Sequence, residues 1–264
     1  MIYKEISKVV SNQEIAENIF EAFLYAPNIS KISKPGQFIN ISPSKSWSNV
    51  MRRPMSIASQ QNGQISIIYK VFGEGTRLIS KWNKDQDVDI VGPLGNYWNN
   101  YHEITPVLIG GGVGIAPIMN LHNRLRSENI EHILIVGARH DKEHFLKHEP
   151  KKNIYLSTDN GDIGVNGNVI DVLNQYSLNT DNYKIFGCGP HPMMKALIEY
   201  SNSNLLDCDL ALETIMACGI GICQGCTIVK NVDSCNEHSY RNKFALACED
   251  GPIFNVKELD YDFY

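Results

Sequence analysis

Met216-Ala217-Cys218-Gly219-Ile220-Gly221-Ile222-Cys223-Gln224-Gly225-Cys226, followed at a distance by Cys248-Glu249-Asp250-Gly251-Pro252, is the stretch on which the reading of this chain turns. Its cysteines are spaced C-x4-C-x2-C with one more thiol far downstream, the spacing of a plant-type [2Fe–2S] site. Two irons with bridging sulfides take four thiolates. Three can come from one tight loop and the fourth from a distant strand. Gly219, Gly221 and Gly225 let the loop bend sharply and let backbone N–H groups approach the cluster sulfurs. The expected ligands are Cys218, Cys223, Cys226 and Cys248. Cys248 is preferred as the fourth for the Glu-Asp-Gly-Pro that follows it, and Cys235, in the same interval, is the alternative. Structural zinc calls for a second C-x2–4-C knuckle, which the downstream segment lacks. Cys188 and Cys208 are read as non-ligands.

The setting of this loop is a chain of 264 residues, 43% hydrophobic and 20% charged, with a formal net charge of −5. That length allows two ordinary domains and a small module, and the charge gives no reason to expect nucleic acid. Met1-Ile2-Tyr3-Lys4-Glu5 runs straight into charged, strand-like sequence, and no apolar run approaches the roughly 18 residues of a membrane helix. No membrane contact is expected, and the cytoplasm is the expected location. There thiols stay reduced, so the seven cysteines favour metal or redox chemistry over disulfides.

Working outward from the cysteine loop, residues 101–207 alternate strands with helical patterns, which reads as βαβ units on a parallel sheet. Pro106-Val107-Leu108-Ile109 is a buried-strand run, followed by Gly110-Gly111-Gly112-Val113-Gly114 and a helix expected over 115–127. Glycines there, Gly111 and Gly112 among them, permit close approach of a pyrophosphate to the helix start. Gly187-Cys188-Gly189-Pro190 ends a later strand, where Cys188 could touch a nicotinamide. The acidic residue expected about 20 positions after the glycines is not evident: Glu131 is poorly placed and the strand end carries Arg139. The choice between NAD and NADP stays open.

Residues 1–100 hold short apolar stretches separated by Gly and Pro, a pattern of many short strands that suggests an all-β barrel or sandwich. Two segments there suit a flavin. Arg52-Arg53-Pro54-Met55-Ser56-Ile57 offers an arginine for a diphosphate and a serine for flavin or ribityl groups. Ile68-Tyr69-Lys70-Val71-Phe72-Gly73-Glu74-Gly75-Thr76 ends a strand in a Gly-rich turn that opens a helix, a place for phosphate. The remaining segment, 208–264, is too short for a large core of its own, and a bound metal centre would explain how it stays folded.

In that order, the β-barrel with R-P-x-S and G-x-G-T, the α/β unit with G-G-G-x-G and C-G-P, and the iron–sulfur loop resemble the ferredoxin–NADP reductase superfamily. With the cluster segments quoted above, the whole chain resembles the electron-transfer subunits of class 1B dihydroorotate dehydrogenases. The resemblance implies a multidomain β plus α/β fold: an FAD-binding β-barrel (1–100), a Rossmann-like NAD-binding domain (101–207) and a small C-terminal [2Fe–2S] module (208–264). It implies that Arg53, Pro54, Met55 and Ser56 bind FAD, with Ile68, Tyr69 and Lys70 on the flanking strand and Gly75 and Thr76 at the phosphates. It also implies a TIM-barrel partner that carries FMN and oxidises dihydroorotate, a heterotetramer of two such pairs, electron flow from FMN through the cluster and FAD to NAD+, and a place in de novo pyrimidine (UMP) synthesis. No acid–base or nucleophile set for substrate chemistry is evident, so no catalytic residue is expected on this chain, and the eight βα repeats of a TIM barrel are absent. A flavin and iron–sulfur reductase subunit of a hydrogenase, sulfide dehydrogenase or oxygenase shares every motif. A zinc-stabilised binding module is the alternative from another class.

Overall fold

A computed structural model of the chain describes residues 1–44, 51–175, 182–231 and 240–260. The first six strands are β1 (Tyr3–Ala16), β2 (Ile19–Tyr25), β3 (Phe38–Ile41), β4 (Arg53–Gln61), β5 (Gln64–Lys70) and β6 (Asp87–Leu94). They close into an antiparallel barrel in the order β1-β2-β5-β4-β3-β6. Isoleucine dominates its interior: Ile39, Ile41, Ile57, Ile65, Ile67 and Ile90 are fully buried in one cluster. β-branched side chains suit a pleated, half-buried surface, so these runs pair as strands. A short helix, α1 (Pro27–Ile32), covers one end with Ile29, and α2 (Glu74–Ile79) follows β5 at the other flank.

The α/β half begins at β7 (Thr105–Gly111), continues through α3 (Ile115–Ser127), β8 (Ile133–Ala138), β9 (Ile154–Thr158), β10 (Val165–Asn166), α4 (Val169–Gln175) and β11 (Tyr183–Cys188), and reaches α5 (His191–Ser203) and β12 (Asp207–Ala211). Val107, Leu108 and Ile109 form a continuous buried run because helices cover both faces of a parallel sheet. Along α3, Ile115, Ile118, Leu121 and Leu125 recur at helical spacing and are buried, while Arg124 and Arg126 stand in the last turn, where cations suit the helix dipole. Asn120 of this helix donates from Nδ2 to the Ile57 carbonyl of the barrel at 2.9 Å, tying the two halves together.

The C-terminal segment adds β13 (Thr227–Val229), α6 (Tyr240–Lys243), β14 (Phe244–Leu246) and β15 (Ile253–Asn255). β13 and β14 pair as a two-stranded ribbon, whereas β15 joins the large sheet, antiparallel to β12. The full order is β10-β9-β8-β7-β11-β12-β15. Strand order reverses between β7 and β11, so a crevice opens at their carboxyl ends, where open α/β sheets bind ligands. β12 crosses residue 207, and β15 lies deep in the last segment, so the sheet takes strands from both sides of that position. Cys226, Cys248, Ala247 and Phe254 share one buried cluster with Val107, Ile109 and Leu210. The small module therefore borrows the sheet's core instead of building its own. No helix among the described residues is long and apolar enough to cross a membrane.

Candidate functional site

Arg53, Pro54, Met55 and Ser56 on β4, Ile68, Tyr69 and Lys70 on β5, and Gly75 and Thr76 at the start of α2 all line one cavity of about 350 Å³. That volume lies in the range of small-molecule pockets. Val113 and Ala116 from the α/β half and Leu212, Glu213, Thr214 and Met216 from the approach to the cysteine loop close it. The adjacent arginines have separate tasks. Arg52 donates from Nη2 to Asp89 at 2.8 Å and from Nη1 to two barrel carbonyls, so it braces the barrel. Arg53 lies against the head of α2, where a Cβ on Gly75 would stand 2.6 Å from its Nε. Any side chain at position 75 would displace the guanidinium. Thr76 Oγ1 accepts from the N–H groups of Phe72 and Gly73, each at 3.2 Å, and holds the turn closed. A Cβ on Gly73 would meet nothing within 4 Å, so the backbone there is open to a ligand. These features fit a flavin diphosphate beside Arg53 and the turn. The Lys70 ammonium is engaged elsewhere, 2.6 Å from Glu143 Oε1.

The cysteine loop sits beside this cavity. The N–H groups of Ile220 and Cys223 donate to Cys218 Sγ at 3.5 and 3.4 Å, and that of Gly221 donates to Cys248 Sγ at 3.1 Å. Cys226 Sγ lies 3.2 Å from Cys248 Sγ, both nearly buried, while Cys223 is exposed. Burial pushes the Cys218 thiol up, but the N–H groups of Cys223, Ile220 and Ile222 outweigh it and bring the thiol down to about 7. Burial, then the Cys226 neighbour, push Cys248 up to about 12. Among the described residues no three Cys, His, Asp or Glu side chains converge on one ion. A [2Fe–2S] cluster asks for two thiolates on each iron, so three need not converge. The loop's N–H groups aimed at sulfur and its paired thiols fit such a cluster. Cys235 lies outside the described residues.

Two asparagines that the sequence reading passes over hold the loop in place. Asn40 of β3 is 1% exposed and donates from Nδ2 to the Cys218 carbonyl at 3.1 Å. Gly219, with φ +73°, passes so close that a Cβ would lie 2.8 Å from that nitrogen. Gly221, with φ +79°, presses on the Glu249 carboxylate beside Cys248. Asn96 donates from Nδ2 to the carbonyls of Asp250 and Ile253, both at 2.8 Å, and accepts from the Ile253 N–H at 3.0 Å. Its own N–H donates to the Gly251 carbonyl at 2.6 Å. The Cys248 turn is thus fastened to the end of β6. The only hint in the sequence is polarity: Asn40 interrupts a strand whose other three residues are Phe and Ile.

At the sheet's switch point, Gly111 and Gly114 allow close packing. A Cβ on Gly111 would lie 2.5 Å from Met193 Sδ, and one on Gly114 would lie 2.5 Å from the Cys188 carbonyl. Gly112, with φ +54°, faces only Pro190 Cγ at 4.0 Å, leaving its backbone open toward the crevice. This fits a dinucleotide pyrophosphate over the β7–α3 turn. Cys188 ends β11 but is 3% exposed, and burial, with Glu213 second, pushes its thiol well up.

Family models match the cysteine segment and the α/β half of the chain. Residues 213–260 match the family model for the iron–sulfur cluster binding domain of dihydroorotate dehydrogenase B, and residues 108–199 match that for the oxidoreductase NAD-binding domain. The dihydroorotate dehydrogenase B (NAD(+)) electron transfer subunit of Fusobacterium nucleatum is 32% identical, over 96% of this chain and 97% of that one. The Listeria welshimeri protein of the same name is 34% identical, over 96% and 97%. Among solved structures, an NADH-dependent reduced ferredoxin–NADP oxidoreductase studied for flavin-based electron bifurcation superposes with TM-score 0.84 at 26% identity, covering 98% of this chain and 91% of that one. The ferredoxin reductase of carbazole 1,9a-dioxygenase superposes at 0.66 and 20% identity, over 78% and 67%, a likeness of fold. The chain belongs to the family of electron transfer subunits of NAD+-dependent dihydroorotate dehydrogenase B.

Proposed function

We propose that this chain passes electrons from a TIM-barrel dihydroorotate dehydrogenase carrying FMN to NAD+ in de novo pyrimidine (UMP) synthesis, in a cytoplasmic assembly of two chains of each kind. When bound, the [2Fe–2S] cluster supplies one-electron transfer, and FAD supplies the conversion to two-electron hydride chemistry. Cys218, Cys223, Cys226 and Cys248 hold the cluster, with the N–H groups of Ile220, Gly221 and Cys223 directed at their sulfurs. Arg53, Gly75 and Thr76 hold the FAD diphosphate, while Pro54, Met55, Ser56, Ile68 and Tyr69 bind the rest of the flavin from β4 and β5, with Lys70 lining the same wall and giving its ammonium to Glu143. Gly111 and Gly112 receive the dinucleotide pyrophosphate, and Cys188 stands at the nicotinamide end of the same crevice.

The observation that carries this reading is adjacency. Met216 lines the flavin cavity, and the first expected cluster ligand follows two residues later. Ile215 and Ile222, 89% and 77% exposed beside the cysteine loop, supply apolar surface for a partner subunit to cover. Co-expression with a TIM-barrel dehydrogenase, followed by purification, tests the proposal. The expected result is a complex that couples dihydroorotate oxidation to NAD+ reduction. The purified chain alone should oxidise NADH with ferricyanide and leave dihydroorotate untouched. Turnover of dihydroorotate by the lone chain would sink it. The likeness to the electron-bifurcating oxidoreductase supports a second reading, a reductase subunit for another redox enzyme. The partner that copurifies from native cells decides between the two.

A further inference from the structure

We propose that Glu143 selects NAD over NADP in this chain, accepting a hydrogen bond from the adenosine ribose and holding Arg139 away from the place a 2′-phosphate would take. This rests on the nucleotide-binding reading above. In such sheets a residue just past the strand that follows the glycine turn meets this ribose: a carboxylate suits the free 2′-hydroxyl, and a nearby arginine suits the 2′-phosphate. The strand here is β8, and the next residue is Arg139, which alone reads as a phosphate site.

Glu143 reverses that reading. It arrives on the turn Asp141–Glu143, and its carboxylate folds back on the strand end. Its Oε1 accepts from Arg139 Nη2 at 2.5 Å and from Lys70 Nζ at 2.6 Å. Among the described residues its Oε2 meets only the Arg139 N–H and Nε, both at 3.4 Å, and keeps acceptor capacity. Glu143, Gly112, Gly137 and Ala138 line one small cleft of about 10 Å³, so the carboxylate stands close to the glycine turn.

The local charge agrees. Arg139 also feels Asp159 and Glu17, so three carboxylates face the two cations Arg139 and Lys70. His140 lies 3.8 Å from Glu17 and 3.9 Å from Glu143, and it adds a charge only when protonated. The Arg139 hydrogen bond holds the Glu143 carboxyl down at about 2, against its burial, so it stays ionised at neutral pH. A dianionic 2′-phosphate entering that field meets repulsion and an arginine already paired, whereas a hydroxyl finds an acceptor.

The test is calorimetric titration of the flavin-loaded full chain with ADP-ribose and with 2′-phospho-ADP-ribose. The wild type should favour ADP-ribose by more than about tenfold. Glu143→Gln should reduce that preference by about tenfold or more, and adding Arg139→Ala should remove the gain for the phosphorylated ligand. An unchanged preference in Glu143→Gln overturns the proposal. Arg139→Ala alone alters a side chain that is 68% exposed, and it keeps the question decidable should the Gln variant fail to fold. The preference should then stay within about twofold of wild type. If that variant instead loses about tenfold in affinity for the phosphorylated ligand, Arg139 already serves a phosphate and the proposal is overturned. Flavin-loaded wild type that binds neither ligand sinks the nucleotide-binding reading itself, a failure distinct from these two.

Discussion

Cys248 and Cys235 compete for one role in the sequence, and the surroundings of Cys248 suit it to that role. Cys248 Sγ takes the Gly221 N–H at 3.1 Å and lies beside Cys226, inside the buried cluster. Cys248→Ser should therefore abolish the iron–sulfur absorbance of anaerobically purified protein, while Cys235→Ser should leave its iron and sulfide content intact. Loss of iron in the Cys235 variant would reverse the ligand assignment. His122 offers a second residue-level prediction. Burial, then His132, then Arg126 hold it down at about 4, against an ordinary value of 6.5. The unfolded chain thus binds the proton more readily between those values. The contribution of neutral His122 to stability is complete above about pH 6.5, falls as pH drops toward 4, and is flat below. Denaturant unfolding across that window should lose roughly 2–3 kcal/mol in the wild type, and less in a His122→Leu variant.

Elements differ in how openly the sequence announces them. β3, β5, β6 and β7 are runs rich in Ile and Val, and α3 spans the very residues that its helical spacing predicts. The β1–β2 hairpin is hidden because its long strands carry many polar residues on an exposed face. β13, β14 and β15 are three residues each, too short to carry a periodic signal. Their existence depends on partners distant in sequence, such as the pairing of Leu210 with Phe254. Asn96 is the hinge of this long-range assembly. Asn96→Ala removes three side-chain hydrogen bonds at the junction of β6 with β15 and should cost about 1–3 kcal/mol. Differential scanning calorimetry with the cluster loaded would measure that loss, and an unchanged transition would show that the junction holds without it.

The molecule as a whole is three chemical regions: the barrel has its own isoleucine core, and the cysteine module shares the core of the sheet. Because the cysteine module packs into the sheet's own cluster, removing iron should loosen it without unfolding the barrel. Chelation under anaerobic conditions should raise hydrogen exchange over residues 213–231 and 240–260. The barrel strands β2, β4 and β5, with their isoleucine core, should keep their protection. Uniform loss of protection would mean that the cluster stabilises the whole chain. The sequence by itself determined the cysteine spacing, the order of the three regions and the R-P-x-S and G-x-G-T segments proposed for the flavin, because each of these is a local pattern of residue types. The tertiary structure alone decided that Arg52 braces the barrel, that Asn40 and Asn96 clamp the cysteine loop, and that Glu143 folds back onto Arg139 at the end of β8. Glu131 precedes β8 and so stands at the wrong end of that strand. Glu143 is held from the barrel by Lys70, 73 residues away in the chain. Such pairings arise when two domains dock, and the spacing of residues along one chain carries no record of which surfaces will meet.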